Sequence, residues 1–323
     1  MNVNLKAKVP GRKFWRRLLL SVVLILFIGV NGAGLYMGNI IYREMSIRHT
    51  RLNSHNTGRL QQLMDTGKKE KQWQDVAIDS RFGYSLKGTF IPNPKPTETT
   101  LIFLHGFTEN RLIGLNYLNL YLNAGYNLLL VDSRAHGESG GASVTWGVYE
   151  KHDVDQWVDW VRQRFPKGAI GIHGISMGAA TAVLHAELNE PSKRVSFYVA
   201  DSSYSDFESL LSLHIQKRIQ LPGNLPPELL LPYANIVAYF NSRFTYSQAS
   251  PIRAARNVTT PILYIHGEAD VIVPVNMAQE LYNATKGPRQ LYTFPKAEHV
   301  SSLYNDRYRY RTVVRGFTRS IPI

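Results

Sequence analysis

Ala169-Ile-Gly-Ile-His173, Gly174-Ile175-Ser176-Met177-Gly178 and Ala179-Ala-Thr-Ala-Val-Leu-His-Ala-Glu-Leu188 follow one another without a break. The first five residues read as a short buried strand and the last ten as a helix of small and apolar residues. The five between them form a turn. Strand, G-x-S-x-G and helix in that order are what a nucleophile elbow requires, a turn so sharp that its serine is thrust out above the sheet. Glycines two before and two after Ser176 leave room where side chains would collide. The helix that starts there points N–H groups and its positive dipole end at the reaction centre.

A second G-x-S-x-G, Gly137-Glu138-Ser139-Gly140-Gly141, lacks this setting. It stands several residues past the strand expected over 126–132, and Ala-Ser-Val-Thr-Trp146, not a helical pattern, follows it. It reads as a glycine-rich loop.

Outward from the elbow, strands alternate with helices. Strands are expected over 75–79, 84–92, 99–104, 126–132, 195–200, 261–266 and 290–294. Helices are expected over 111–124, 148–165, 275–286 and 301–318. This rhythm implies a mostly parallel sheet covered by helices on both faces. Residues 207–260 break it, because so long and apolar a run between two strands is not a loop. They read as a helical cap over the C-terminal sheet edge, where open α/β sheets bind ligands.

The chain has 323 residues, no cysteine and a formal charge of +13. Without cysteine there is no disulfide, thiolate zinc site or cysteine nucleophile. The charge is unevenly spread. Residues 1–17 and 43–72 hold most of the excess, and the body from residue 73 is close to neutral. Basic ends on a neutral body fit a membrane surface better than a nucleic-acid groove. Residues 18–42 carry no charge and are long enough to cross a hydrocarbon core. Six basic residues and no acid precede them, which predicts a cytoplasmic N-terminus and an exported body. A cleaved signal peptide is the competing reading, with Asn31-Gly32-Ala33 as its cleavage site. The apolar run continues past that point to Ile40-Ile41, which favours an uncleaved, single-pass anchor. The expected organisation is a basic tail over 1–17, an anchor over 18–42, a partly helical polar stalk over 43–72 and an α/β domain over 73–323, with the cap at 207–260.

A serine hydroxyl needs a base held by a carboxylate. In a sheet of this kind the partners follow in the order Ser, Asp or Glu, His. Only His299 lies after the strand expected over 261–266. It stands in the loop between the last strand and the last helix, where a base must hang to reach Ser176. The acid should follow the preceding strand, which assigns Asp270, with Glu268 and Asp201 as competitors. The oxyanion needs two N–H donors: the amide of Met177, after the nucleophile, and that of Phe107, in the loop after the strand expected over 99–104. The Phe107 side chain either lines the acyl pocket or packs against the cap. His105, His136 and His173 lack zinc-ligand spacing with a third partner, and no phosphate-binding glycine motif follows a strand. No metal and no cofactor are expected.

His105-Gly-Phe-Thr-Glu-Asn110, Asp132-Ser-Arg-Ala-His-Gly-Glu-Ser139, Gly174-Ile-Ser-Met-Gly178, His266-Gly-Glu-Ala-Asp270 and His299 together resemble the α/β-hydrolase superfamily. Within it the chain resembles membrane-anchored bacterial cell-surface hydrolases of the esterase type. The resemblance covers about residues 73–320 and implies a serine hydrolase acting on small-molecule or lipid-like esters outside the membrane, with no nucleic-acid partner. Peptidase or acyltransferase chemistry on the same residues, and a catalytically silent surface-binding protein, are the alternatives.

Overall fold

The computed structural model describes residues 11–47, 57–218 and 226–322. Residues 1–10 of the expected tail, 48–56 of the expected stalk and 219–225 of the expected cap lie outside it. Two helices come first, α1 (Arg12–Ser46) and α2 (Thr57–Glu70), followed by β1 (Gln74–Asp79), β2 (Ser85–Ile91) and β3 (Thr100–Leu104). Next come a 3-10 turn (Arg111–Tyr117), α3 (Leu118–Leu122), β4 (Asn127–Val131), α4 (Glu150–Arg164), β5 (Ile170–Ile175), α5 (Met177–Asn189) and β6 (Phe197–Asp201). Then come α6 (Phe207–Arg218), a 3-10 turn (Pro227–Leu230), α7 (Leu231–Ser242), a shorter 3-10 turn (Tyr246–Gln248) and α8 (Pro251–Ala255). The chain closes with β7 (Ile262–Gly267), α9 (Asn276–Ala284), β8 (Arg289–Phe294), α10 (Ser302–Asn305) and α11 (Arg307–Ser320).

The eight strands form one sheet in the order β1-β2-β4-β3-β5-β6-β7-β8. The pairings of β2 with β1 and β4 are antiparallel and the rest are parallel. The central strands β3 to β7 are buried on both faces, as their continuous apolar runs require. Alternate residues serve opposite faces. Leu101, Phe103 and Val199 pack with α3 and α11, while Ile102, Leu104 and Tyr198 pack with α4, α5 and Leu281 of α9.

Three expected elements differ in form. The helix expected over 111–124 is a 3-10 turn followed by α3. The main-chain N–H of Arg111 is tied to Asp132, and a Cβ on Gly114 would stand 2.8 Å from Leu130, so this segment follows the sheet rather than helical spacing. The closing helix over 301–318 is broken at Asp306, whose side chain caps α11 by accepting from the Arg309 N–H.

The third difference lies in the stalk, which is partly helical as expected but packs on the body. Its first residues, Arg43 to Ser46, prolong α1. Their carbonyls are taken up by the body: Val144 N–H donates to Ser46 O at 2.7 Å, and Trp146 Nε1 to Met45 O at 3.1 Å. A helix end needs such partners. Further on, α2 buries Leu60 and Met64 in the core beside the Arg111–Tyr117 turn. The apolar residues scattered through this polar stretch therefore form a buried stripe.

α1 has two halves of different character. Residues 12–30 are exposed all round. From Asn31 onward one stripe, Gly34, Gly38, Ile41, Tyr42 and Ser46, is buried. By length and composition α1 can cross a membrane, with a mean hydropathy of 2.4 over its most apolar window.

Candidate active site

β5 ends at Ile175 and α5 begins at Met177, so Ser176 alone makes the turn, with φ 53° and ψ −119°. A residue with a Cβ adopts such a backbone only where its surroundings enforce it. Here they do. A Cβ on Gly174 would lie 2.1 Å from the Gly178 carbonyl oxygen, and one on Gly178 2.3 Å from that of Leu104. The two glycines let β5, α5 and β3 close on the turn, and Ser176 N–H donates to Asp201 O at 2.8 Å.

The structure brings Ser176, His299 and Asp270 together. His299 Nε2 lies 2.9 Å from Ser176 Oγ, and its Nδ1 lies 2.7 Å from Asp270 Oδ2. A carboxylate only accepts, so the His299 proton is on Nδ1 and Nε2 is free to accept from the serine hydroxyl. Asp270 is held in turn. Its Oδ1 accepts from the N–H groups of Ile272 at 3.0 Å and Val273 at 2.8 Å. Its Oδ2 also lies 3.2 Å from His266 Nε2, which donates to Val273 O at 2.8 Å. Burial opposes ionisation of Asp270. The hydrogen bonds of His266, His299 and Val273, with the charge of His299, outweigh it and hold the carboxyl well below the usual carboxylate range.

The competing acids lie elsewhere. Glu268 accepts from Thr293 Oγ1 at 2.7 Å. Asp201 accepts from Tyr310 OH at 2.7 Å and Ser202 Oγ at 3.0 Å, and burial pushes its pKa up. Asp201 nonetheless bears on the site, because Ser202 Oγ also accepts from the N–H of Val300, next to His299, at 3.2 Å. Sequence reasoning missed Ser202, Tyr310 and the bond from His266. The repeated strand-end position of Asp201 and His266 was the available signal.

The loop carrying Phe107 abuts the serine, since a Cβ on Gly106 would meet Ser176 Cβ at 3.3 Å. Met177 is the first residue of α5, so its N–H has no acceptor within the helix. Two histidines shape this loop. His105 Nδ1–H donates to Gly106 O at 2.7 Å while Nε2 accepts from Ser133 N–H at 3.0 Å. His136 Nε2 accepts from Thr108 N–H at 3.3 Å. The loop is anchored further by the buried ion pair of Arg111 with Asp132. Ser139, of the second G-x-S-x-G, is buried and donates to Asp132 O at 2.7 Å.

His173 sits behind the elbow. Its Nδ1 accepts from Tyr121 OH at 2.8 Å, and its Nε2 lies 3.2 Å from Tyr310 OH. Burial lowers its pKa to about 3. The sign follows from linkage. An unfolded histidine binds a proton below about pH 6.5 and the folded one does not, so stability falls as pH drops from there toward 3. Replacing His173→Gln, which can also donate and accept, should reduce the slope of unfolding free energy near pH 5 by about 1.4 kcal/mol per pH unit. Urea titrations from pH 7 to 4.5 test this. Equal slopes in the two proteins would mean that His173 is protonated when folded.

Above Ser176 lies a cavity of about 650 Å³. Phe107, Trp146, Leu210, Leu211 and His299 line it, with Glu44 and Met45 from α1. The Phe107 ring packs on Trp146 at 4.7 Å between centroids, and Trp146 stacks on Phe207 of α6 at 3.9 Å. Phe107 thus both lines the cavity and packs toward the segment between β6 and β7.

The profile of the α/β-hydrolase fold matches residues 99–226, and that of the prolyl oligopeptidase family matches residues 231–320. The strands of both matches belong to one sheet. The chain belongs to the α/β-hydrolase family and is a hydrolase. The uncharacterized protein YqkD of Bacillus subtilis is 36% identical over 241 residues, covering 74% of this chain and 77% of that one. The lysophosphatidylserine lipase ABHD12 of Xenopus tropicalis is 23% identical over 230 residues, 67% of this chain and 54% of that one. Among solved structures, the esterase Pf2001 of Pyrococcus furiosus matches with a TM-score of 0.63 and 26% identity, over 79% of this chain and 95% of that chain.

Proposed function

We propose that the protein is a serine carboxylesterase working through an acyl-enzyme on Ser176. The observation that carries this reading is the hydrogen-bonded series Ser176, His299, Asp270 beneath an apolar cavity. Ser176 Oγ attacks the ester carbonyl as His299 Nε2 takes its proton. The oxyanion is held by the N–H groups of Met177 and Phe107. The intermediate collapses, His299 returns the proton to the departing alcohol, and the acyl group stays on Ser176. Water, activated by His299 in the same way, then releases the acid. Asp270 keeps the His299 proton on Nδ1 and stabilises the imidazolium. Residues 18–42, within α1, serve as a single-pass anchor, and the basic residues before them keep the N-terminus cytoplasmic and the hydrolase domain on the outer side.

The likeness to the esterase Pf2001 supports ester chemistry. Leu210 and Leu211 reach the cavity while Leu213 does not, so the first two set acyl preference. A p-nitrophenyl ester series from acetate to dodecanoate is the test. At about 0.8 kcal/mol per buried methylene, kcat/KM should rise about fourfold per methylene until the cavity fills. Leu210→Ala and Leu211→Ala should flatten that rise. A profile blind to both chain length and these substitutions would defeat the acyl-pocket assignment. The match of residues 231–320 to the prolyl oligopeptidase family favours a second reading, amide cleavage. Faster turnover of peptide anilides than of any ester in the series would select it.

A further inference from the structure

The second half of α1 is sheathed by α7, and the two run in the same direction. Tyr233, near the start of α7, donates from its OH to Asn31 Oδ1 at 3.1 Å. Its ring covers Gly34, where a Cβ would stand 2.5 Å away, and its main chain closes on Gly38. At the far end of α7, Ser242 Oγ lies 2.5 Å from Tyr42 OH. The level of each part of α7 can therefore be read from the α1 residue beside it.

That level can be set against a bilayer. The uncharged run starts at Leu18, just after Arg16 and Arg17. A helix rising about 1.5 Å per residue needs about 20 residues to cross a hydrocarbon core of about 30 Å. Counted from Leu18, the far boundary falls near Met37. Tyr233 stands beside Gly34 and Gly38, so the start of α7 falls at that boundary. The Pro227–Leu230 turn just before it, which also packs on α1, falls at or below it. The rest of α7 lies at the level of the headgroups.

The composition of α7 fits that position. Leu231–Ser242 holds no charged residue. Ala234 and Ala238 face inward, while Ile236 (44% exposed), Tyr239 (49%), Phe240 (71%) and Leu229 (51%) face outward. A helix whose open side carries Ile236, Tyr239 and Phe240 belongs in an apolar medium, not against water, and the exposed Asn241 falls at its headgroup end. Tyr239 and Phe240 fall where aromatic side chains favour the membrane interface. Asn31, the polar residue deepest along this contact, is satisfied without water, since it accepts from Tyr233 and donates from Nδ2 to Phe27 O at 2.8 Å.

The same helix that sets the depth also builds the cavity. Met45 lies two turns beyond Met37 and, with Glu44, lines the cavity above Ser176. We propose that the outward face of α7 is embedded in the lipid leaflet beside α1, and that the cavity draws single-chain amphiphilic esters, of the lysolipid or monoacylglycerol class, from that leaflet. This rests on the reading of Ser176 as nucleophile and of α1 as anchor. The anchor then acts as a wall of the substrate site as well as a tether.

The experiment has one arm that needs no catalysis. The chain has no cysteine, so Leu229→Cys, Ile236→Cys and Phe240→Cys each accept a single bimane label. Tyr308→Cys, at a residue 83% exposed on α11, is the aqueous control. Full-length protein is reconstituted in vesicles of phosphatidylcholine and phosphatidylglycerol. The expected result is strong quenching at 229, 236 and 240 by spin-labelled lipids, with protection from iodide, and the reverse at 308. Iodide quenching at 229, 236 and 240 equal to that at 308 would overturn the embedding. In the second arm, Ile236→Glu and Phe240→Glu should lower kcat/KM for monoacylglycerol in vesicles at least tenfold while changing p-nitrophenyl acetate turnover less than twofold. Equal losses on both substrates, or on neither, would overturn delivery from the leaflet. A wild-type protein inactive on every ester would sink the esterase reading and leave the quenching arm to be judged alone.

Discussion

Ser176→Ala is expected to lower kcat on esters by about five to six orders of magnitude and to abolish labelling by a fluorophosphonate probe. The folded state should be unaffected or slightly stabilised. The backbone at position 176 is held at positive φ by β5, α5 and β3 rather than by the hydroxyl, and alanine tolerates that conformation no worse than serine. His299→Ala should cost nearly as much, because without a base the hydroxyl keeps its proton. The double substitution should cost little more than either alone, since the two groups act as one unit. Losses that instead multiplied across the two sites would mean that Ser176 and His299 serve separate steps. Retained fluorophosphonate labelling in Ser176→Ala would place the nucleophile elsewhere.

Asp270→Asn is expected to lower kcat by about three to four orders of magnitude, and the surrounding hydrogen bonds explain why. The N–H groups of Ile272 and Val273 both point at Oδ1, so the amide oxygen of asparagine must stay there. Its NH2 then takes the place of Oδ2, facing His299 Nδ1 and His266 Nε2. A donor now meets Nδ1, and His299 answers by moving its proton to Nε2. In that tautomer Nε2 can no longer accept the serine proton. KM should change little, because Asp270 does not line the cavity. Near-normal turnover in Asp270→Asn, with a large loss in Asp201→Asn or Glu268→Gln, would reassign the acid. Asp201→Asn is expected to act differently. It disturbs the bonds from Tyr310 and Ser202 that steady Val300 and so the His299 loop, which predicts a modest loss of kcat together with lower stability.

Much of this arrangement is legible in the sequence because it depends on local chemistry. The collision of Cβ atoms at Gly174 and Gly178 is a property of a strand meeting a helix at one residue, so G-x-S-x-G between such runs can be read without coordinates. Chain order did the same for Asp270 and His299, since parallel strands bring their C-terminal loops to one edge. The buried strands are visible as apolar runs, because a strand covered on both faces leaves no polar position.

What only the tertiary structure decided lies where one residue's environment is set by a distant part of the chain. The glycine-rich second half of the apolar run looks like a weak membrane span because its small residues serve a protein contact, in which Gly34 and Gly38 admit Tyr233 from about 200 positions away. The polar residues of 43–72 masked a buried stripe, Leu60 and Met64, because amphipathic packing shows only against a known partner surface. Leu210 and Leu211 share the cavity with Ser176 while Leu213 turns away, a choice set by the rotation of α6 against the Pro227–Leu230 and Tyr246–Gln248 turns. Local sterics and chain order determine the elbow and the identity of its partners. Long-range packing determines the walls around them, because a wall is a relation between surfaces and no single stretch of sequence encodes both sides.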